Sequence, residues 1–436
     1  MPKKISHGQK IARRVFPGAL AGWTMDAFDL SAMFLLVPVL AAIFFPAGSA
    51  YAIIGALSIY FISLVFRPLG GLIFGKVGDK VGRKYSMIIT LLGLGTVIFA
   101  TGLLPTYASA GVLAVLLLVA LRILTGIFAG GEYGNSAAVM MESAPNMKRG
   151  LWGGMMQTGY PIGYVIAAIV FLGLHYVFPG AAFTEYGWRW MFFIGIIPAL
   201  AGLAIRLMMP ESALWMDEKK ERKLSGSPIK DIFSHRSTMY SFLTGALAMT
   251  GIAWVYSLTL GLYPTILSIN NFMPFPIFIY VVIIAILSSL LGYLLSGYAS
   301  DRIGRRFTIG IYSAFSIALA VPLSYIIVAE SFGYIGVAVA ASILAFLTTG
   351  IYGVIPAYLS EKFPTKLRST GVGISFNGGF IIGSWSSVLM LLVVKPSSPL
   401  FYMVLGGFVI IGELFILSSA LLSKETANAD IRKIMA

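Results

Sequence analysis

Cysteine is absent from the 436-residue chain, and histidine occurs three times, at His7, His175 and His235. The first absence excludes disulfides and cysteine-ligated metals; the second leaves histidines too scattered to make a metal site. No metal and no cofactor is expected. Charge is scarce as well: 11% of residues are Asp, Glu, Lys or Arg, against roughly a quarter in soluble domains. No nucleophile–base set, phosphate loop or soluble output domain stands out, which argues against an enzyme or a signalling receptor.

Long apolar runs dominate instead. Hydrophobic residues make up 58% of the chain and the mean hydropathy is +0.89. A membrane span needs about 20 mainly apolar residues. Twelve such stretches are present: 16–45, 51–74, 85–104, 111–142, 150–176 and 189–209, then 238–267, 275–296, 307–328, 333–359, 370–394 and 399–422. The expected class is all-α, two six-helix membrane bundles at 1–209 and 237–436 joined by a linker at 210–236. The first run is too long for a cleavable signal and contains two aspartates, so it reads as a retained span.

A net charge of +14 would suggest nucleic acid in a soluble protein. Here its placement is a topology signal. Lys3, Lys4, Lys10, Arg13, Arg14, Lys76, Lys80, Arg83, Lys84, Lys148 and Arg149 fall on one side in the first half. The basic residues of 219–236, then Arg302, Arg305, Arg306, Lys362, Lys366, Arg368, Lys424, Arg432 and Lys433, fall on the same side in the second. The opposite loops hold little beyond Arg189 and Lys395 at helix ends. Both termini are therefore expected in the cytoplasm of a cell-membrane protein with no nucleic-acid partner. The mixed-charge run from Asp217 to Lys223 reads as a solvated linker helix, with a docking site as the other reading.

The chain also repeats itself. Gly75-Lys-Val-Gly-Asp79-Lys-Val-Gly-Arg83-Lys84 recurs as Gly297-Tyr-Ala-Ser-Asp301-Arg-Ile-Gly-Arg305-Arg306. Glu142-Ser-Ala-Pro145-Asn-Met-Lys-Arg149 recurs as Glu361-Lys-Phe-Pro364-Thr-Lys-Leu-Arg368. Four spaced copies of two motifs mean duplicated bundles, the mark of many transporters. With these motifs the chain resembles the major facilitator superfamily along its whole length. That resemblance implies two bundles around a central cavity, with spans 1, 4, 7 and 10 lining it, 2, 5, 8 and 11 beside them, and 3, 6, 9 and 12 outside. Gly75, Asp79, Arg83, Glu142 and Arg149, with Gly297, Asp301, Arg305, Glu361 and Arg368, are the expected cytoplasmic gate. A plainer reading gives them only topology and a tight turn.

Ionisable groups inside spans cost enough to demand a partner or a function. The candidates are Asp26, Asp29, Arg67, Arg122, Glu132, Arg206 and Glu413. Asp26 and Asp29 share a helix face, and Glu132 is expected at the depth of Asp26. These three are the proton-coupling candidates, on the ground that three acids outnumber one or two cations; permanent pairing is the alternative. Arg67 is left between an inner-gate carboxylate and a partner of Asp26 or Glu132. Arg206 is expected to snorkel, and Glu413 to make a structural hydrogen bond outside the cavity.

The wording around Trp23-Thr-Met-Asp26, Arg122-Ile-Leu-Thr-Gly126 and Gln157-Thr-Gly159-Tyr160 is similar to the proton-coupled sialate and lactate branch. It implies symport of a carboxylate metabolite with protons by a monomer. Arg122 then anchors the anion or sets the proton affinity of Glu132 or Asp29, with Gln157, Tyr160, Tyr164, Tyr256, Tyr352 and Asn377 as further substrate contacts. A sugar or sugar-acid porter and a proton-driven efflux antiporter remain alternatives, although span 7 lacks paired glutamines and span 5 lacks the Gly-Pro pair of drug antiporters.

Overall fold

The computed structural model describes residues 7–46, 49, 52–221, 227–269, 273–329, 331–427, 429 and 431. Lys3, Lys4, Arg222, Lys223, Arg432 and Lys433 of the charge pattern lie outside them. Twelve helices among the described residues are long and apolar enough to cross a membrane. The first six are α1 (Ile11–Phe44), α2 (Ala52–Lys80), α3 (Arg83–Gly102), α4 (Val112–Ser143), α5 (Arg149–Val177) and α6 (Phe183–Met208). The second six are α7 (Arg236–Leu267), α8 (Ile277–Ile303), α9 (Arg305–Ala329), α10 (Gly333–Ser360), α11 (Thr365–Val393) and α12 (Phe401–Leu422).

Helix ends follow local chemistry. The turns between α2 and α3 and between α8 and α9 pass through Gly82 (φ +142°) and Gly304 (φ +97°), a backbone region that side chains with a Cβ rarely enter. Helix α6 starts six residues before the expected 189, in a π turn at Phe183–Gly187. The Arg189 guanidinium there donates to the carbonyls of Gly102 and Leu104, closing the end of α3. Helix α7 breaks after Leu258 and resumes at Tyr263–Ile269, whereas the sequence suggests one continuous span.

The bundles meet where small residues permit. A Cβ on Gly71 or Gly75 of α2 would press on the α11 backbone at Gly373 or Thr370, and one on Gly297 of α8 on that of α5 at Gly150. Close backbone approach of this kind is how helices pack without a hydrophobic gradient between them. The linker is not simply solvated. Its helix Ala213–Lys220 buries Trp215, whose indole N–H donates to the Asp79 carbonyl at 2.8 Å.

Candidate functional site

The doubled turns are built as reciprocal clasps. Asp79 at the end of α2 accepts from the N–H groups of Ser369 (3.2 Å) and Thr370 (2.9 Å) and from the Thr370 hydroxyl (2.6 Å), in the first turns of α11. Asp301 at the end of α8 accepts from the N–H groups of Gly150 and Leu151, both at 2.8 Å, at the start of α5. Each carboxylate thus satisfies orphan amides of the other bundle at the positive end of a helix dipole.

Arginines tighten the arrangement. Arg83 stands 3.3 Å from Asp79 and 3.2 Å from Glu142; Arg305 stands 2.8 Å from Asp301 and 3.0 Å from Glu361. Across the interface, Arg368 reaches Glu142 at 2.8 Å and Arg149 reaches Glu361 at 3.6 Å. The halves exchange arginines as well as aspartates.

Two further carboxylates, not singled out by the motifs, complete the symmetry. Glu211 accepts from the N–H groups of Arg83 (3.2 Å) and Lys84 (3.1 Å), capping α3, while Ser212 donates to Glu142. Glu425 accepts from the N–H groups of Arg305 (2.9 Å) and Arg306 (3.0 Å), capping α9, while the Thr426 hydroxyl donates to Glu361 at 2.8 Å. Burial raises the Glu425 carboxyl, but the N–H groups of Ala427, Arg305, Arg306 and Thr426 together hold it below the ordinary glutamate value. The signal for both is a Glu-Ser or Glu-Thr pair just after the last span of each half.

Between the spans, each N-terminal carboxylate has its own arginine. Arg67 donates twice to Asp26, at 2.8 and 2.5 Å. Arg122 donates to Asp29 at 3.0 and 3.1 Å and to the Thr101 hydroxyl at 2.7 Å. Arg206 forks onto Glu132, which also accepts from Thr90 (3.0 Å) and Ser136 (2.7 Å). The expected excess of acid over cation is therefore corrected: Arg206 is not a snorkelling residue but a buried partner, with its other donors on the carbonyls of Met87 and Gly18. The slot that admits it is Gly22, where a Cβ would lie 1.7 Å from the Arg206 guanidinium and 2.0 Å from the Glu132 carboxylate. Glu132 consequently sits level with Gly22, a turn nearer the gate than Asp26.

A small cavity separates the bundles at mid-depth, with about 20 Å³ of free space, room for roughly one water molecule. Its lining is Trp23, Leu30, Tyr60, Gln157, Tyr160, Tyr256, Tyr293, Tyr352 and Phe380. Toward the gate it is floored by Trp23, Tyr133 and Phe376, the last two stacked at 3.4 Å. On the other side the hydroxyls of Tyr160 and Tyr256 meet, and Phe34 packs on Tyr256. Both amide atoms of Gln157 are buried without a hydrogen-bond partner, so the cavity offers one uncommitted donor–acceptor group.

Of the sequence-based substrate contacts, Gln157, Tyr160, Tyr256 and Tyr352 line this cavity. Arg122 does not: Asp29 and Thr101 occupy its guanidinium, beside Phe192. Tyr164 donates to the Leu260 carbonyl at 3.3 Å. Asn377 donates to the carbonyls of Gly130 (2.8 Å) and Gly373 (2.7 Å), joining α11 to α4. Tyr60, Tyr293 and Phe380 come from α2, α8 and α11 and stand in none of the repeated motifs, so no sequence signal marks them. Trp23 was detectable, since Trp23, Asp26 and Leu30 share one face at three- and four-residue steps.

Two duplicated six-helix bundles clasped at one end around a closed central cavity define a secondary transporter of the major facilitator fold, not an enzyme. The chain belongs to the Sugar (and other) transporter family, whose model matches residues 19–232 and 216–435. It is 30% identical over 390 residues to the inner membrane metabolite transport protein YhjE of Escherichia coli, covering 85% of each chain. The proline/betaine transporter of Salmonella typhimurium is 29% identical over 432 residues, 96% of this chain and 85% of that one. The fold matches the proton:xylose symporter XylE with a TM-score of 0.75 at 18% identity, over 98% of this chain and 99% of that one.

Proposed function

We propose that the chain is a proton-coupled symporter of a small zwitterion, a carboxylate-bearing metabolite whose nitrogen is cationic. The observation that supports this reading is the cavity lining: five tyrosines, a tryptophan and a phenylalanine around one uncommitted glutamine, with no arginine among them. Aromatic faces attract an alkylammonium group at about 0.5–2 kcal/mol each, and the Gln157 amide supplies a donor for a carboxylate. The substrate names of the proline/betaine relative are of this chemical kind. The carboxylate expectation is thereby kept but narrowed, and it moves away from lactate and sialate.

Coupling is assigned to the Asp26–Arg67 pair, which stands directly behind the cavity wall, with Arg67 5.9 Å from the Phe380 ring. A proton taken up by Asp26 from outside releases Arg67 for the substrate carboxylate; its loss on the inside returns Arg67 to Asp26 and expels the substrate. Asp29–Arg122 and Glu132–Arg206 hold the helices that carry this pair. The basic gate end is assigned to the cytoplasm, with both termini, by the positive-inside rule.

Proteoliposome uptake of radiolabelled proline, glycine betaine, lactate and xylose tests the reading. The zwitterions should accumulate under an inward proton gradient, and Trp23→Leu should lower their uptake about tenfold, the loss of roughly 1.4 kcal/mol. Gradient-independent uptake defeats the symport. Uptake of xylose or lactate in preference to the zwitterions defeats the substrate class, and xylose would favour a sugar porter using the tyrosine hydroxyls.

A further inference from the structure

Beside the gate of the C-terminal bundle lies a cation that the transport reading does not use. Lys362 follows Glu361 in the loop after α10, where the first half carries Ser143 after Glu142. Its ammonium donates to the hydroxyls of Thr244 on α7 and Ser423 after α12, both at 2.7 Å, and lies 4.2 Å from the Tyr358 ring centroid. An ammonium has three N–H donors, and the third goes to no described acceptor.

No counter-charge balances it among the described residues. Its neighbour Glu361 is engaged by Arg305, Arg149 and Thr426. Burial pushes the Lys362 ammonium down to about 7. Next to it opens a pocket of about 240 Å³ whose lining also includes Ser237, Tyr240, Ser241, Lys424, Thr426 and the arginine-paired carboxylate Glu361.

We infer that this pocket is an anion site for a phosphate group, free or on a lipid headgroup, with Lys362 as its central cation. A compact ammonium among separate hydroxyls suits a tetrahedral oxyanion better than a planar carboxylate, which pairs best with the fork of an arginine. A second basic residue, Lys424, also lines the pocket. The bound group ties the first turns of α7 to the ends of α10 and α12, next to the Glu361 clasp.

The test is calorimetric titration of the purified full chain in uncharged detergent with inorganic phosphate, against chloride at matched ionic strength. Phosphate should bind, Lys362→Met should weaken it by about tenfold or more, and Lys362→Arg should keep most of the affinity. Substrate counterflow by Lys362→Met shows that the variant is folded. Adding phosphatidylglycerol or the phosphate-free diacylglycerol to the detergent micelles separates the sources: the phospholipid alone abolishes the phosphate response if a headgroup fills the site, and both leave it intact if the ligand is free. The inference fails if wild type and Lys362→Met bind phosphate equally, if chloride binds as well as phosphate, or if wild type responds to neither phosphate nor phosphatidylglycerol.

Discussion

In the N-terminal bundle three carboxylates sit between the spans, Asp26, Asp29 and Glu132, each on an arginine of a neighbouring helix. In the C-terminal bundle Glu413 of α12 is as deeply buried, but its company is the hydroxyls of Ser316 and Ser313 on α9, and neither oxygen makes a well-formed hydrogen bond. The rims tell the opposite story, since Asp79, Arg83, Glu142, Arg149, Glu211 and Ser212 are matched by Asp301, Arg305, Glu361, Arg368, Glu425 and Thr426 in equivalent roles. Closing a gate needs a contribution from each bundle. In the proposed symport, holding a proton needs one carboxyl and a partner that can be released, and one bundle suffices.

The contrast breaks most visibly at the charged core. Arg67→Ala leaves the Asp26 ion buried alone and should cost about 3–5 kcal/mol, seen as a lower melting temperature and folded yield in detergent. Asp26→Asn combined with Arg67→Gln should recover most of that stability while transport stays lost. Equal damage in the single and double variants would mean that charge pairing is not what the core depends on.

Next comes the slot for Arg206. Gly22→Ala forces Arg206 and Glu132 apart and should destabilise by about 1–3 kcal/mol. Gly378→Ala in α11, where the nearest atom to an added Cβ is 3.7 Å away, should melt like wild type. Matching melting curves for the two variants would erase the asymmetry.

At the rims, symmetry predicts equality. Asp79→Asn and Asp301→Asn each weaken charge-assisted bonds worth roughly 1.5–3 kcal/mol apiece, and both should open the gate end to a similar degree. Because the chain has no cysteine, a single label site introduced as Leu30→Cys reports this as accelerated maleimide reaction from that side. Unequal acceleration would show that one clasp dominates. The smallest effect is expected for Glu413→Gln, which exchanges one poorly satisfied buried polar group for another of the same shape and should change stability by about 1 kcal/mol or less, with uptake unchanged; lost uptake would move proton handling into the second bundle.

Much of this architecture can be read from the chain because bilayer physics constrains it. Twelve apolar runs and four motif copies lead to twelve helices in two bundles, since a span must satisfy its backbone internally. The partners of the buried charges are harder to read. Arg206 looks like a residue at a helix end until Gly18 and Gly22 are seen to open a slot in α1, a property of two helices rather than one. Tyr60, Tyr293 and Phe380 enter the cavity because their helices cross near its level, and crossing points are not written in a hydropathy pattern. The break in α7 at Thr259 is marked only by Gly261 within it and Pro264 in the first turn of the resumed segment, two residues that a hydropathy run passes over.

The matched pairs also determine what the membrane potential can act upon. With Asp26, Asp29 and Glu132 each neutralised by its arginine, these three sites in the middle of the spans add no net charge to the empty carrier. Rocking of the empty carrier then moves almost no charge through the field. In the proposed symport a proton on Asp26 changes this, because one elementary charge is worth about 2.3 kcal/mol per 100 mV. Voltage would therefore drive the loaded step and leave the return step alone, so that a cell's electrical gradient enters the cycle only when the cargo does.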